Sequence, residues 1–216
     1  MFKIHDISPV ISEDLAVFPG DQKFTRQVSM NFEKHDNLTL SSIHTSIHLG
    51  AHTDAPNHYH ASGVGMSARS LDFYFGDCQV IHVKCERATR VQISDLDGKN
   101  ISSRRVLFRT DSFPNPNIWN GDFVSLSDEL IHFLAAKDVM LVGIDTPSID
   151  LAEDKILESH TAVFENDMAI LEGIILEQVS EGHYLLSALP LKIQDADASP
   201  VRAILIEGSS EELWNK

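Results

Sequence analysis

SIHLGAHTDAPNHYH, Ser46 to His60, holds four histidines in fifteen residues, and with His44 it gathers five of the eleven in the chain. Read by parity, Ser42 to Asp54 alternates. Ser42, His44, Ser46, His48, Gly50, His52 and Asp54 fall on one side; Ile43, Thr45, Ile47, Leu49, Ala51 and Thr53 fall on the other. That is the period of a half-buried strand. His48, His52 and Asp54 then share a face. His58 has the same parity, but Pro56 argues against a strand that runs so far.

A straight strand would keep His48 and His52 apart. Four residues span about 13 Å at strand rise, whereas two ligands of one ion lie at most about 4 Å from each other. A bend at Gly50 or Ala51 is therefore predicted, where glycine tolerates unusual dihedrals. The pattern is not the helical H-E-x-x-H arrangement, because Gly50 lies between the histidines and no Glu follows His48. A solvated polar strand face explains any one of these histidines. It explains His48, His52, Asp54 and His58 together poorly. Imidazole and carboxylate suit zinc or manganese, and Pro56 would stiffen the loop that carries them.

The rest of the chain sets bounds on that reading. It has 216 residues, 43% of them hydrophobic, which suits one domain over residues 1–216 with a core that needs no metal for bulk stability. The net charge of −15 comes without a basic stripe, so nucleic acid is not an expected partner. The opening residues lack the apolar run of a signal peptide, and no apolar stretch is long enough to span a bilayer. The expectation is a cytoplasmic protein with no membrane partner. Cys78 and Cys85 form no C-x-x-C pair and read as reduced thiols.

Strand-like runs dominate. They are HDISPVIS, KFTRQVSMNF, CQVIHVK, RRVLFRT, VMLVGID, HYLLSALPLKI and VRAILIE. VFPGD, Val17 to Asp21, reads as a turn. SARSLDFYF is a short helix or loop, and VQISDLDG looks like a helix start. The clearest helix is SDELIHFLAAKD, Ser127 to Asp138, with Ser127 as N-cap and Asp128 and Glu129 in the first turn. Regular βαβ units do not fill the chain, so the fold class is α+β, or mixed α/β, with a mostly β core and three or four helices.

A site needs a second segment to close it. GIDTPSID, Ser159-His160 and AILEG with Glu172 lie in the later half. Glu172 sits in the apolar run AILEGIIL, and a carboxylate there is either buried with a partner or turned to solvent from an edge strand or helix.

These residues carry a resemblance. HLGAHTDAPNH, His48 to His58, resembles the H-x-G-[TA]-H-x-D-x-P-x-H signature of the cyclase-like metal-dependent hydrolases. GIDTPSID, Ser159-His160, AILEG, LPLK and DASPVRA are similar in order and spacing to its bacterial kynurenine formamidase branch, from about Ile7 to Ile204. The resemblance implies a swivelling β/β/α domain, usually a homodimer. It implies metal ligands at His48, His52, Asp54, His160 and Glu172, with Asp54 and Glu172 each contacting two ions, zinc most naturally and manganese as the other candidate. It implies His58 as catalytic acid/base, and Phe18 lining the substrate pocket at a position that is commonly Trp. The implied reaction is hydrolysis of a small aryl formamide, N-formyl-L-kynurenine, to L-kynurenine and formate in tryptophan degradation. The alternatives are another aryl or cyclic amide of the isatin kind, or a non-catalytic metal-binding protein. A serine triad lacks its G-x-S-x-G elbow. His44, His60, His132 and His183 receive no role.

Overall fold

The computed structural model describes residues 3–207; residues 1–2 and 208–216 of the expected domain lie outside them. The strands are β1 (Ile4–Asp6), β2 (Thr25–Met30), β3 (Leu40–His44), β4 (His52–Asp54), β5 (Phe75–His82), β6 (Arg90–Val91), β7 (Arg105–Arg109), β8 (Ser125–Leu126), β9 (Leu141–Ile144), β10 (Ala169–Leu171), β11 (Gly182–Ser187), β12 (Ala198–Pro200) and β13 (Ile204–Glu207). The α-helices are α1 (Pro56–Tyr59), α2 (Asp128–Ala135) and α3 (Glu158–Glu165). No helix is long and apolar enough to cross a membrane among the described residues.

Seven strands form one mixed sheet in the order β1-β13-β11-β5-β7-β9-β10. The β5-β7-β9-β10 half is parallel and the β1-β13-β11-β5 half antiparallel. The chain is of mixed α/β class, as the sequence indicated. Parallel strands carry cover on both faces and so read as unbroken apolar runs. Val106, Leu107 and Phe108 in β7 are all fully buried, as are Leu141, Val142 and Ile144 in β9. Alternate residues enter two cores. Val106, Phe108, Val142 and Ile170 meet Leu130, Ile131 and Leu134 of α2 and Val163 of α3 on one face. Leu107, Leu141 and Leu171 meet Ala51, Ala55, Met66 and Tyr74 on the other. Helix α2 starts where expected, with the Ser127 hydroxyl accepting from Leu130 N at 3.1 Å. Cys78 and Cys85 are free thiols.

Several expected elements are shorter or placed differently. Of HDISPVIS only His5 and Asp6 lie in β1, because Pro9 has no N–H to donate and the partner strand begins at Ile204. SARSLDFYF completes one 3₁₀ turn, Met66–Ala68, and supplies a second, Leu71–Phe73, and VQISDLDG holds a third at Ile93–Leu96. The half-buried strand read by parity over Ser42–Asp54 does not exist as one element. Strand β3 belongs to a hairpin with β2, and every residue of it is exposed, Ile43 included. The chain then leaves strand geometry, turns at Gly50 (φ 61°) and resumes as β4, where both parities are buried. The bend falls at one of the two positions predicted.

Candidate metal-dependent active site

Strand β4 lies between β12 and the end of β10. It pairs with β12 at Ala198↔Asp54, Ser199↔Thr53 and Pro200↔His52. On its other side His52 N donates to Glu172 O at 3.1 Å, and Glu172 N donates to His52 O at 2.9 Å. This two-bond bridge sets His52 and Glu172 side by side although 120 residues separate them in sequence. Gly173, at φ 64°, lets the chain turn away at once; a Cβ there would stand 2.2 Å from Gly50 O. Glycine is required both for the dihedral and for the close approach.

The side chains converge. His48 Nδ1 is 3.0 Å and His52 Nε2 3.5 Å from Asp54 Oδ1, and His52 Nε2 is 3.2 Å from Glu172 Oε2. His160 Nε2 is 3.3 Å from Asp54 Oδ2 and 3.8 Å from Glu172 Oε1. His52, Asp54, His160 and Glu172 are all at most 3% exposed. Glu172 is thus the buried carboxylate of the two readings open from sequence, and Ile149 N donates to its Oε1 at 2.7 Å.

Tautomers follow from the partners. His52 Nδ1 lies 2.8 Å from Gly50 O, which can only accept, so Nδ1 carries the proton and Nε2 faces the carboxylates. His160 Nδ1 lies 2.7 Å from Asp150 Oδ2, with the same consequence for its Nε2. Asp54 Oδ1 is buried and has no hydrogen-bond partner, although two imidazole nitrogens surround it. An orphaned carboxylate oxygen facing ring nitrogens is what a cation-binding site leaves when described without its ion. His48, His52 and Asp54 form one group whose ligand atoms lie within 4.8 Å of one another; Asp54, His160 and Glu172 form a second, sharing Asp54. These nitrogen and oxygen donors fit a divalent metal.

The electrostatics are those of a crowded ion cluster. Burial pulls the His48 imidazole down, but Asp54 and Asp197 outweigh it and raise the group to about 9. At His160 burial is likewise outweighed, by Asp150 and Asp54, and the group rises to about 10. Burial works against the Asp54 charge, yet the His160 and His48 imidazoles beside it hold it well below the usual carboxylate range. His58 differs: burial pushes its pKa down.

His58 stands on α1, with Pro56 opening the helix. Its ring centroid is 4.2 Å from that of His48, and its Nδ1 is 3.8 Å from Asp197 Oδ2. It remains partly open to solvent, outside the buried cluster. Phe18 lines the same cavity of about 640 Å³, and its ring meets Trp119 edge-on at 4.8 Å. The turn at Phe18 is closed by Asp21 N donating to Phe18 O at 2.9 Å. All seven residues singled out in the sequence therefore border one cavity. His44 lies in the exposed hairpin, and His60 stacks on Phe164 at 3.7 Å instead of joining the cluster.

Sequence reasoning passed over Asp150, Asp197 and Trp119. Asp150 and Asp197 were inside quoted motifs, and a histidine ligand's need for a carboxylate on its other nitrogen was a usable signal. Trp119 carried no signal, since nothing local ties its loop to Phe18.

Comparison with known proteins agrees with this geometry. A family model described as "Putative cyclase" matches residues 5–151. Kynurenine formamidase of Bordetella pertussis is 40% identical over 214 residues, covering 96% of this chain and 99% of that protein. Kynurenine formamidase of Erythrobacter litoralis is 40% identical over 207 residues, covering 95% and 94%. Among solved structures, a potential metal-dependent hydrolase with cyclase activity matches with TM-score 0.83 at 25% identity, covering 97% of this chain and all of that one. A predicted metal-dependent hydrolase from Bacillus stearothermophilus matches with TM-score 0.82 at 26% identity, covering 96% and 100%. With the family model matched over most of the chain and relatives aligned from end to end, the chain belongs to the cyclase family.

Proposed function

We propose that this chain is an arylformamidase that hydrolyses N-formyl-L-kynurenine to L-kynurenine and formate. The observation that carries the reading is the convergence of His48, His52, Asp54, His160 and Glu172 on the floor of a cavity walled by Phe18 and Trp119. The 40% identity to kynurenine formamidases over nearly the whole chain supports the choice of substrate. Zinc would suit these nitrogen and oxygen donors, as would manganese, and His48, His52, Asp54, His160 and Glu172 are the residues that would hold the two ions we expect. A divalent ion bound there supplies a Lewis acid for the carbonyl oxygen and brings the pKa of water toward 7.

The protein's own residues do the rest. The aromatic ring of the substrate packs against Phe18 and Trp119, which places the formamide over the cluster. Burial lowers the His58 pKa, which favours the neutral imidazole that can accept a proton. Its Nδ1 is the nitrogen nearer Asp197. The His58 imidazole takes a proton from water during attack and passes it to the departing aniline nitrogen. A single domain over residues 1–216 carries this site, and the chain works as a homodimer. Steady-state hydrolysis of N-formyl-L-kynurenine by zinc-loaded protein tests the reading, with Asp54→Ala as control. Turnover that vanishes in the control supports it; a zinc-loaded protein that leaves the substrate intact defeats it.

A further inference from the structure

His160 is the one cluster histidine delivered by a helix, and what aims it lies behind it. Asp150 is completely buried, in the loop before α3. Its Oδ2 accepts from His160 Nδ1 at 2.7 Å and from His160 N at 3.1 Å. Its Oδ1 accepts from Ser159 N at 3.1 Å and from Arg90 Nη1 at 2.6 Å. Each oxygen thus has two donors, which uses the acceptor capacity of the group. Leu157, before α3, makes no side-chain cap, so Asp150 serves the first-turn N–H groups from outside the helix. Arg90, from β6, also donates to Leu126 O at 2.9 Å and Ser159 Oγ at 2.9 Å, and its other nitrogen bonds Asp154. The guanidinium therefore ties the Asp150 loop, β8 and α3 together and supplies the charge that a buried carboxylate needs.

We propose that Asp150, clamped by Arg90, is the positioning residue of the metal cluster: it fixes the His160 ring so that Nε2 faces Asp54 and Glu172. Asp150 touches none of the reacting atoms and acts through His160. Arg90 holds one oxygen, so the other stays aimed at Nδ1. This inference rests on the metal-dependent reading above.

The test is zinc affinity of the full chain, stripped of metal and titrated with Zn²⁺ against a chromophoric chelator. It is measured for the wild type, Asp150→Asn, Arg90→Met and Arg90→Lys, with the melting temperature of each metal-free protein recorded alongside. Asp150→Asn sets an amide NH₂ against N–H donors, so zinc binding weakens about 10- to 100-fold. Arg90→Met weakens it in the same direction, and Arg90→Lys, which keeps a donor and a charge on Oδ1, recovers part of the loss. In both weakened variants the fall in kcat at limiting zinc exceeds that at saturating zinc. If Asp150→Asn does not fold, the two Arg90 variants decide. Wild-type zinc affinity in the variants, with or without a lower melting temperature, overturns the positioning role. A wild type that binds no zinc overturns the metal reading and this inference with it.

Discussion

Two histidines six residues apart in this chain differ in kind. His52 is buried, and its Nδ1 is committed to Gly50 O. His58 is partly solvent-exposed and close to the cluster without a short contact to Asp54 or Glu172. A buried, oriented imidazole suits metal binding, whereas a half-exposed one with a lowered pKa suits proton transfer. His58→Ala should therefore keep its zinc, read by atomic absorption, while kcat falls about 10²- to 10⁴-fold. Zinc lost in proportion to activity would make His58 a ligand instead. His52 and His58 were legible in the sequence as a pair of candidates. Their separate environments were not, because Pro56 and the short helix behind it change exposure without changing residue type.

At the scale of elements, the site depends on β4 touching the end of β10. The contact is two backbone hydrogen bonds between His52 and Glu172, and beside it Gly173 approaches the Gly50 backbone more closely than a Cβ on Gly173 would allow. Gly173→Ala should cost at least the roughly 1–3 kcal/mol of a left-handed non-glycine residue, with the backbone clash added. Urea denaturation measures that cost, and zinc content should fall with it as Glu172 is displaced. A variant of wild-type stability would mean that this bridge is softer than its geometry indicates. The bend at Gly50 was foreseeable because two candidate metal ligands four residues apart cannot meet one ion from a straight strand. The pairing with Glu172 was not, since a bridge between residues so distant in sequence leaves no local pattern.

For the whole molecule, the cluster makes stability depend on pH and metal together. Without metal, His48 and His160 titrate near 9 and 10 in the folded chain, above the value of about 6.5 for an unfolded histidine. Their protonated forms favour the folded state. That contribution is fully present below about pH 6.5 and is lost as pH rises through 9 to 10. The melting temperature of metal-free protein should thus fall across that window. Zinc must displace those protons, so the rise in melting temperature produced by a fixed zinc concentration should grow over the same window. Scanning calorimetry at several pH values, with and without zinc, checks both slopes. A metal-free protein whose melting temperature climbs from pH 7 to 10 would show that the histidines do not hold their protons against the carboxylates.

The sequence by itself determined which residues are candidates to carry chemistry and what kind of layers enclose them. Ligand-type side chains crowd into one short segment, and apolar runs such as Val106–Phe108 and Leu141–Ile144 read as strands covered on both faces, as the structure has them. Tertiary structure alone decided the partners: Glu172 beside His52, Asp150 behind His160, Asp197 against His48, Trp119 against Phe18. It also reassigned Ile43, apolar and alternating in sequence yet exposed in the hairpin. The reason is one of range. Periodicity records how a residue relates to its own strand or helix, while a site is assembled across sheet order and loop closure, where chain distance carries no information about contact.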